Sequence, residues 1–346
     1  MKKLYFHTYA SAFQNPGGGE ILLLKLKEYL EKRDISVKLF DPWRDSLGPD
    51  AILHVFGSVK ECLGLMETAK AKGCRIVMTP IFWSSWRRAF FMEGRLSARA
   101  GQVARHAVKV LFPSFPSARR RMFLLADLLL ANSQGEADAV ARYFTIPKNR
   151  FFVVPNGVDS RFEEADPAEF RKKFKVDKFI LSVGRIEPRK NQLRLIHAAR
   201  QFPIPLVIVG DPVSTEQTYY EQCRREADGN VQFVGGLDHE SALLASGYAA
   251  SEVFVLQGHF ETPGLAALEA AMAGTKIAAT GLGSTREYFG SFVDYLDPIS
   301  VASIRKAVRS ALARPRTTEL KNFVSEHHTW DRVVDRLVQA YEAVSK

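Results

Sequence analysis

Short hydrophobic runs alternate with amphipathic segments along most of this chain. In the first half, apolar runs predict strands near 3–8, 36–40, 51–55, 75–79, 127–131 and 151–154. A second series begins near Lys178, and its strands end near Val183, Val209, Val234, Leu256 and Ala279. The segments between strands, such as 21–33, carry apolar residues at helical spacing. Strands that alternate with helices in this way predict an α/β fold with two doubly wound parallel sheets.

Two short motifs predict helices that begin directly after strands. Ser133-x-x-Glu136 and Ser284-x-x-Glu287 have the pattern of a capping box, in which the serine side chain accepts a hydrogen bond from the first turn. Both motifs support the alternation of strands and helices independently of hydrophobic spacing.

Length and composition agree with two domains. The chain has 346 residues, 46% of them hydrophobic, which is more than one core usually holds and enough to fill two. Its apolar runs are shorter than the roughly 18 to 20 residues that span a bilayer. Lys2 and Lys3 before an Ala-Ser-Ala triplet faintly resemble a secretory signal, but the short intervening run contains His7 and favours a first strand. Three cysteines without a CxxC pair indicate reduced thiols, so we expect a cytoplasmic protein.

Two glutamates eight residues apart flank the start of a predicted helix in the second half. Glu261 lies in the turn before this helix and Glu269 lies on its second turn. Between them, the backbone amides of Gly264 and Leu265 would face a ligand with the positive end of the helix dipole, which favours a phosphate. Two hydroxyl-binding carboxylates beside a phosphate cradle suit a sugar nucleotide. The alternative is that Glu261 only caps the helix and Glu269 is a solvated helix residue.

A glycine and two cations follow the first predicted strand of the second half. Gly184 allows a ligand to approach the strand end closely, and Arg185 and Lys190 bracket the turn after it. These cations can neutralise a departing diphosphate, arginine as a planar fork and lysine as a compact charge. The alternative is an ordinary solvated turn.

Together these motifs resemble the retaining glycosyltransferases of family 4. The resemblance runs along the chain through an N-terminal Gly-Gly-x-Glu turn, the strand 127–133, Pro-Asn-Gly-Val-Asp at 155–159, Gly-Arg-x4-Lys, Gly210-Asp211, Val-Gly at 234–235 and Glu-x7-Glu. It implies the GT-B fold of two facing Rossmann-like domains. The implied boundaries are 1–160 for an acceptor domain, 161–329 for a sugar-nucleotide domain, and 330–346 for a helix that packs back on the first domain.

The resemblance also implies roles for individual residues. The implied catalytic residues are Arg185, Lys190 and Glu261, with Glu261 on hydroxyls of the donor sugar and Glu269 on the ribose. The implied donor-binding residues are Gly18, Gly19, Gly184, Gly210, Gly264, Leu265 and Glu269. The reaction would be retaining hexosyl transfer from a nucleoside diphosphate sugar, with no protein nucleophile and no cofactor. The chain lacks an Asp-x-Asp motif, so we expect no metal, and the negative charge on the leaving nucleotide would be met by the cations and helix amides.

Positive charge is concentrated in the first half. Residues 1–163 contain 25 Lys and Arg against 15 Asp and Glu, whereas 164–346 contain 23 of each. Residues 83–121, here called the basic segment, carry nine Lys and Arg against one Glu, with six Trp and Phe among them. Cations interleaved with aromatics suit an anionic membrane surface or a glycan or lipid-linked acceptor. A solvated basic helix is the alternative, and without a recognised motif we expect no nucleic acid.

The acceptor side is less well defined by the sequence. His54 matches a histidine-bearing segment of the family that faces the cleft, although a histidine among apolar residues is also typical of a core. Arg87 and Arg88 are further acceptor-side candidates. The family's threonine-linked histidine is missing after Thr79, and Thr-Pro-Gly at 262–264 replaces the commoner Gly-Phe-Gly. Two rivals stay open: a sugar-nucleotide epimerase of similar architecture, and an inactive member that binds sugar nucleotides or membranes as a scaffold.

Overall fold

The chain forms two compact units. The computed structural model describes residues 2–14, 16–84, 96–262 and 264–345, and the side chains there except those of 96–99, 102 and 109. One unit contains the described residues up to Asn156 together with 330–345, and the second contains residues 157–329. The second unit therefore begins at Gly157, four residues before the boundary that the sequence suggested.

The first unit is built on a six-stranded parallel sheet. Its strands are β1 (Lys3–His7), β2 (Val37–Leu39), β3 (Ala51–Phe56), β4 (Arg75–Thr79), β5 (Leu128–Ala131) and β6 (Phe151–Val153). They lie in the order β2-β1-β3-β4-β5-β6. The pairings Leu4↔Val37 and Leu4↔Ile52 set the register of β1 between its two neighbours. The helices before the second unit are α1 (Gly18–Glu31), α2 (Leu63–Ala71), α3 (Leu96–Leu111), α4 (Ala118–Leu125) and α5 (Gln134–Phe144).

The second unit repeats this architecture. Its strands are β7 (Ile180–Val183), β8 (Leu206–Val209), β9 (Val231–Gly235), β10 (Val253–Leu256), β11 (Lys276–Thr280) and β12 (Asp294–Leu296), in the order β12-β11-β10-β7-β8-β9. Its helices are α6 (Ala168–Phe174), α7 (Gln192–Ala199), α8 (Gln217–Glu226), α9 (Ala242–Ala250), α10 (Leu265–Met272), α11 (Thr285–Phe289), α12 (Val301–Ala313) and α13 (Glu319–His327). Hydrophobic clusters fill both faces of the sheet, one around Phe170, Phe179 and Tyr248 and the other around Ile196 and Ile304.

A final helix, α14 (Trp330–Ser345), returns to the first unit. Trp330 contacts Tyr29 of α1 with ring centroids 6.3 Å apart, and Arg33, two residues after the last residue of α1, forms ion pairs with Asp331 and Asp335. The last helix is thus an integral part of the first unit's core.

One of the two predicted capping boxes forms its serine cap. Oγ of Ser133 accepts a hydrogen bond from the backbone N–H of Glu136 at 3.0 Å and begins α5. Ser284 precedes α11 as predicted, but its side chain makes no capping hydrogen bond. Its backbone is already helical, with φ −90° and ψ −4°, whereas a capping serine needs extended backbone.

The predicted α/β class with two parallel sheets is confirmed. Within the described ranges, no helix combines the length and apolar character that crossing a membrane requires.

Candidate functional site

The candidate site lies where the strand order of the second sheet reverses. From β7 the chain moves outward through β8 and β9, and from β10 it moves outward through β11 and β12 on the other side. β7 and β10 are neighbours, so their carboxyl ends form a topological switch point, the usual ligand position in open α/β sheets. Lys190 follows β7 and Glu261 follows β10, which places both residues in the loops at this point.

Lys190 and Glu261 form an ion pair that joins the two loops. Nζ of Lys190 donates to Oε1 of Glu261 at 2.8 Å and to Oε2 at 3.0 Å. The side chain of Glu261 is 4% exposed, so its charge is neutralised mainly by this contact. Burial lowers the pKa of Lys190, and Arg189 lowers it further, while the charge of Glu261 acts in the opposite direction. The pair uses two of the three N–H bonds of the lysine and leaves one for a ligand.

Two arginines extend this positive cluster. Nη1 of Arg189 lies 4.0 Å from Oε2 of Glu261, and Nη2 donates to Glu187 at 2.9 Å. Arg185, about one-third exposed, lies 3.5 Å from the same carboxylate of Glu187. Three cations and two carboxylates therefore share the loop ends, and the sequence had indicated only Arg185 and Lys190 among the cations.

Amide side chains fix the turn that carries these cations. Asn191 has a positive φ of 61°, and its Nδ2 donates to the carbonyl groups of Gln257 at 3.0 Å and Pro298 at 2.8 Å. Gln257 in turn donates from Nε2 to the carbonyl of Lys190 at 2.9 Å and accepts from Ser182 at 3.0 Å. The backbone at Lys190 is thus fixed by the hydrogen bond to its own carbonyl group and by those of the adjacent Asn191.

The two glycines predicted at strand ends, Gly184 and Gly210, have different surroundings. A Cβ on Gly210 would lie 2.1 Å from the carbonyl oxygen of Gly184, and Gly210 has φ +146°. Only glycine fits there, because the chain after β8 passes against the chain after β7. Gly184 has φ +148°, and a Cβ there would lie 3.7 Å from Cε of Lys190. At Gly210 the structure shows a close approach between two backbone segments, and the donor-binding role of this residue stays a prediction.

The start of α10 lies beside the Glu261 carboxylate. Gly264 takes φ +89° immediately before the helix, and a Cβ there would lie 3.6 Å from Oε2 of Glu261. The N-cap position is Gly264, which has no side chain, and the carboxylate of Glu261 is paired with Lys190. Leu265, the first residue of the helix, is buried.

Glu269 is held on both carboxylate oxygens. Oε1 contacts Nε2 of His239 at 2.8 Å, and Oε2 accepts a hydrogen bond from the hydroxyl of Tyr248 at 2.7 Å. Glu269 is 5% exposed, so the alternative of a solvated helix residue is wrong. Burial raises the pKa of Tyr248 well above its usual value, and the charge of Glu269 adds to this effect. Burial alone would lower the pKa of His239, but hydrogen bonds and the charge of Glu269 outweigh it and raise the pKa.

In the first unit, Gly18 and Gly19 are the first two residues of α1. Glu20 accepts from the backbone N–H of Gly17 at 2.8 Å and caps this helix start. A Cβ on Gly19 would lie 3.3 Å from Cδ1 of Ile81, which is closer than ordinary van der Waals contact.

His54 lies in the interior of the first unit. It is 0% exposed, and its ring nitrogens contact the hydroxyl of Tyr341 at 2.6 Å and Oγ1 of Thr79 at 2.8 Å. Burial lowers its pKa to about 3. The structure therefore gives this histidine the core position that was the alternative to an acceptor-side role. Arg87 and Arg88, like 85–95 as a whole, lie outside the described residues.

Two cavities lie away from the charged cluster at the switch point. A depression of about 610 Å³ lies beside α5 in the first unit, lined by Trp83 and Arg142 among others. A smaller one, about 230 Å³, lies beside β11 in the second and is lined by Lys276 and Arg314. The charged cluster at the switch point lines neither of them, so its assignment rests on topology and chemistry.

Sequence reasoning missed Arg189, His239 and Tyr248. Arg189 stands beside Lys190 in the same motif and could have been included. His239 and Tyr248 carry no local pattern that links them to a glutamate 30 and 21 residues away.

Comparisons with known proteins agree with this architecture. Residues 165–327 match the family model described as glycosyl transferases group 1, and residues 44–162 match that of glycosyltransferase family 4. A D-inositol 3-phosphate glycosyltransferase of Geodermatophilus obscurus is 32% identical to this chain. The match covers 64% of this chain and 53% of the relative, so the chain spans about half the length of that relative. A protein of the same name from Xylanimonas cellulosilytica is 24% identical, with 98% of this chain and 96% of the relative covered. HepE of Anabaena, solved with UDP and glucose, has a TM-score of 0.73 at 18% identity, with 99% of this chain and 100% of HepE covered.

Proposed function

Since the chain belongs to the group 1 glycosyltransferases of family 4, we propose that it transfers a sugar from a nucleoside diphosphate sugar to a glycan or lipid-linked acceptor. The observation that carries the proposal is the Lys190–Glu261 pair at the switch point of the second sheet. The hexosyl chemistry, the retained anomeric configuration and a role in cell-envelope polysaccharide or glycolipid synthesis are parts of the same proposal.

Positive charge at this switch point suits a diphosphate. Lys190 keeps one N–H bond for a ligand, and Arg185 and Arg189 add two guanidinium groups within the same loop. As the bond from sugar to phosphate breaks, these cations would stabilise the charge that develops on the leaving nucleotide. We therefore propose that transfer does not depend on a divalent ion. A transfer rate that falls on addition of EDTA and returns with Mg²⁺ would contradict this part.

The two buried glutamates suit the sugars at either end of the diphosphate. Glu261 lies beside the start of α10 and would accept hydrogen bonds from the donor sugar, and Glu269 would accept them from the ribose. Burial of both carboxylates strengthens such bonds, because fewer waters compete for the oxygens. No protein nucleophile is assigned, and the donor phosphate would assist removal of the acceptor proton.

A nucleotide panel and one matched pair of variants test this proposal. UDP, GDP, ADP and their glucose conjugates are compared by thermal shift, because a ligand of the folded state raises its apparent stability. HepE of Anabaena, with UDP-glucose in its solved complex, makes UDP the first probe. Released nucleotide then measures transfer, and proton NMR of the product measures anomeric configuration.

The matched pair consists of Arg185→Ala and Arg200→Ala. Both arginines are partly exposed and contact a glutamate in the same unit, Arg200 through Glu226 at 2.9 Å. We expect Arg185→Ala to lower kcat roughly 100-fold, the order found when one charge-stabilising donor is removed, with unchanged thermal stability. Arg200→Ala should keep normal transfer. Normal transfer by Arg185→Ala would end the proposed role of this residue. Conversion of the donor without acceptor would favour an epimerase, and binding without hydrolysis or transfer would favour a scaffold.

We also propose that the basic segment attaches the first unit to an anionic membrane surface. Its described part from 96 to 121 contains six Lys and Arg and no Asp or Glu. The same part exposes five large apolar side chains: Val108, Val110, Leu111, Phe112 and Phe115. Exposed aromatics beside cations match a bilayer interface, where apolar groups insert and cations meet headgroups.

Liposome sedimentation tests this surface. Phe112 and Phe115, 62% and 60% exposed, are replaced together by serine, and Trp43, 93% exposed outside the segment, is replaced by serine as the control. We expect binding to phosphatidylserine vesicles that weakens with salt and is lost only in the double variant. Equal loss in the Trp43→Ser control, or no binding at low salt, would remove the membrane from the proposal.

A further inference from the structure

Glu269 is oriented by groups that the proposed reaction does not itself require. His239 and Tyr248 each occupy one of its oxygens, at 2.8 and 2.7 Å. A carboxylate has about four lone-pair positions, so two remain for hydroxyl groups of a ligand. His239 and Tyr248 fix the orientation of the carboxylate, and this orientation sets the direction of the two lone-pair positions that remain for a ligand.

His239 faces a carboxylate on each side of its ring. Nε2 contacts Oε1 of Glu269 at 2.8 Å, and Nδ1 contacts Oε1 of Glu240 at 3.0 Å. Carboxylate oxygens only accept, so both ring nitrogens must donate for both contacts to be hydrogen bonds. Only the imidazolium has two N–H groups, and the geometry is therefore that of a cation between two anions.

The other groups around the ring are one cation and two aromatics. Arg161 donates from Nη2 to the backbone carbonyl of His239 at 2.6 Å, and its Nε lies 3.7 Å from Glu240. The ring of Phe162 stands edge-on with its centroid 6.2 Å away, and Tyr248 reaches the histidine only through Glu269. Arg161 opposes the charge on His239, whereas the two glutamates favour it and dominate.

We infer that His239 is a positioning residue whose imidazolium orients Glu269 toward the ribose hydroxyl groups of the donor, so that donor affinity falls as this histidine loses its proton. The inference rests on the proposed function, in which Glu269 holds the ribose. His239 is 21% exposed, so solvent can exchange its proton.

The direction of the pH effect follows from the raised pKa of His239. In the folded state this pKa lies above the ordinary value of 6.5, so the contact is fully present below 6.5 and is lost as pH rises through the folded value. Above that pH the ring keeps one N–H and no charge, so the contact with Glu269 loses its charge assistance in either tautomer, and it becomes repulsive in the tautomer that carries its N–H on Nδ1. Nucleotide affinity should then fall about tenfold, the order associated with loss of a charge-assisted hydrogen bond.

Calorimetric titration with a nucleoside diphosphate and its 2′,3′-dideoxy form tests the inference. UDP, GDP and ADP are screened first, and the tightest binder is measured from pH 6 to 9 with both sugar forms. The two forms share one diphosphate, so its own titration cancels in their ratio of affinities. The variants are His239→Gln, Glu240→Gln and, as the matched control, His197→Gln, because His197 also contacts a glutamate, Glu226 at 3.3 Å, in the same unit.

We expect the wild-type protein to prefer the ribose form at pH 6.5 and to lose about tenfold of that preference at high pH. His239→Gln should lack the preference at every pH, while Glu240→Gln should move the transition to lower pH by removing one of the two negative charges that stabilise the imidazolium. His197→Gln should behave like the wild-type protein. An unchanged transition in His239→Gln, or equal weakening of both nucleotide forms, would overturn the inference while leaving the proposed function intact. If none of the three diphosphates binds, the proposed function itself fails.

Discussion

Removal of the Lys190 charge should destabilise the second unit more than removal of both charges of its ion pair. Lys190→Met leaves the carboxylate of Glu261, 4% exposed, with Arg189 at 4.0 Å as its remaining cationic contact. Breaking one side of a buried pair costs about 3–5 kcal/mol, because the other charge stays desolvated. In Lys190→Met/Glu261→Gln both charges are absent, and we expect more than half of that loss to be recovered.

Hydrogen exchange followed by mass spectrometry can measure this loss of stability in the second unit. All four tryptophans of the chain, at 43, 83, 86 and 330, lie outside 157–329, so tryptophan fluorescence does not report on the second unit directly. Amides of the central strands β7 and β10 exchange through global opening of their unit, and 3–5 kcal/mol corresponds to roughly 100- to several-thousand-fold faster exchange. A double variant that exchanges as fast as Lys190→Met, or faster, would refute the buried-charge reasoning.

Three further outcomes are expected. Gly210→Ala should lower the thermal midpoint of the second unit by several degrees in calorimetry, because its Cβ would lie 2.1 Å from the Gly184 carbonyl; an unchanged midpoint would contradict the close approach. Between pH 7 and pH 5 the free energy of unfolding of the first unit should fall by about 2 kcal/mol, because the pKa of His54 falls to about 3 on folding and the unfolded chain takes up the proton below 6.5. The His54→Asn variant should lack this part of the pH dependence. Urea unfolding followed by tryptophan fluorescence measures this difference, and parallel pH profiles would exclude it. Tyr341→Phe should cost about 1 kcal/mol in the same assay through its lost hydrogen bond to His54, and no cost would show that the contact is dispensable.

Much of the fold could be predicted because it depends on local patterns. Apolar runs placed all of the second unit's first five strands, and Ser133 marked the start of α5 through a hydrogen bond within one turn. Ser284 shows the limit of such patterns, since the same motif has helical backbone at the serine and makes no cap. The motif specifies the residues but not the backbone angles that the preceding loop imposes.

The candidate site was predictable only where its residues follow strand ends. Lys190 and Glu261 meet because β7 and β10 are neighbours, which the predicted doubly wound sheet implies. His239 reaches Glu269 from a separate loop, and no spacing in the sequence encodes that contact. His54 lies in an apolar strand, which is compatible with both a cleft-facing and a core position. The contact with Tyr341, 287 residues away, is what identifies the core position, and no local pattern encodes it.

The pairing of His54 with Tyr341 also has a consequence for synthesis on the ribosome. The two partners are 287 residues apart, so at 5–20 residues per second the histidine is made roughly 15 to 60 s before the tyrosine. During that interval the nascent first unit lacks its closing helix, whereas the whole of 157–329 is translated before that helix begins. The unit translated first is thus the last to be completed, and its core stays open at the place of that helix until synthesis is almost finished.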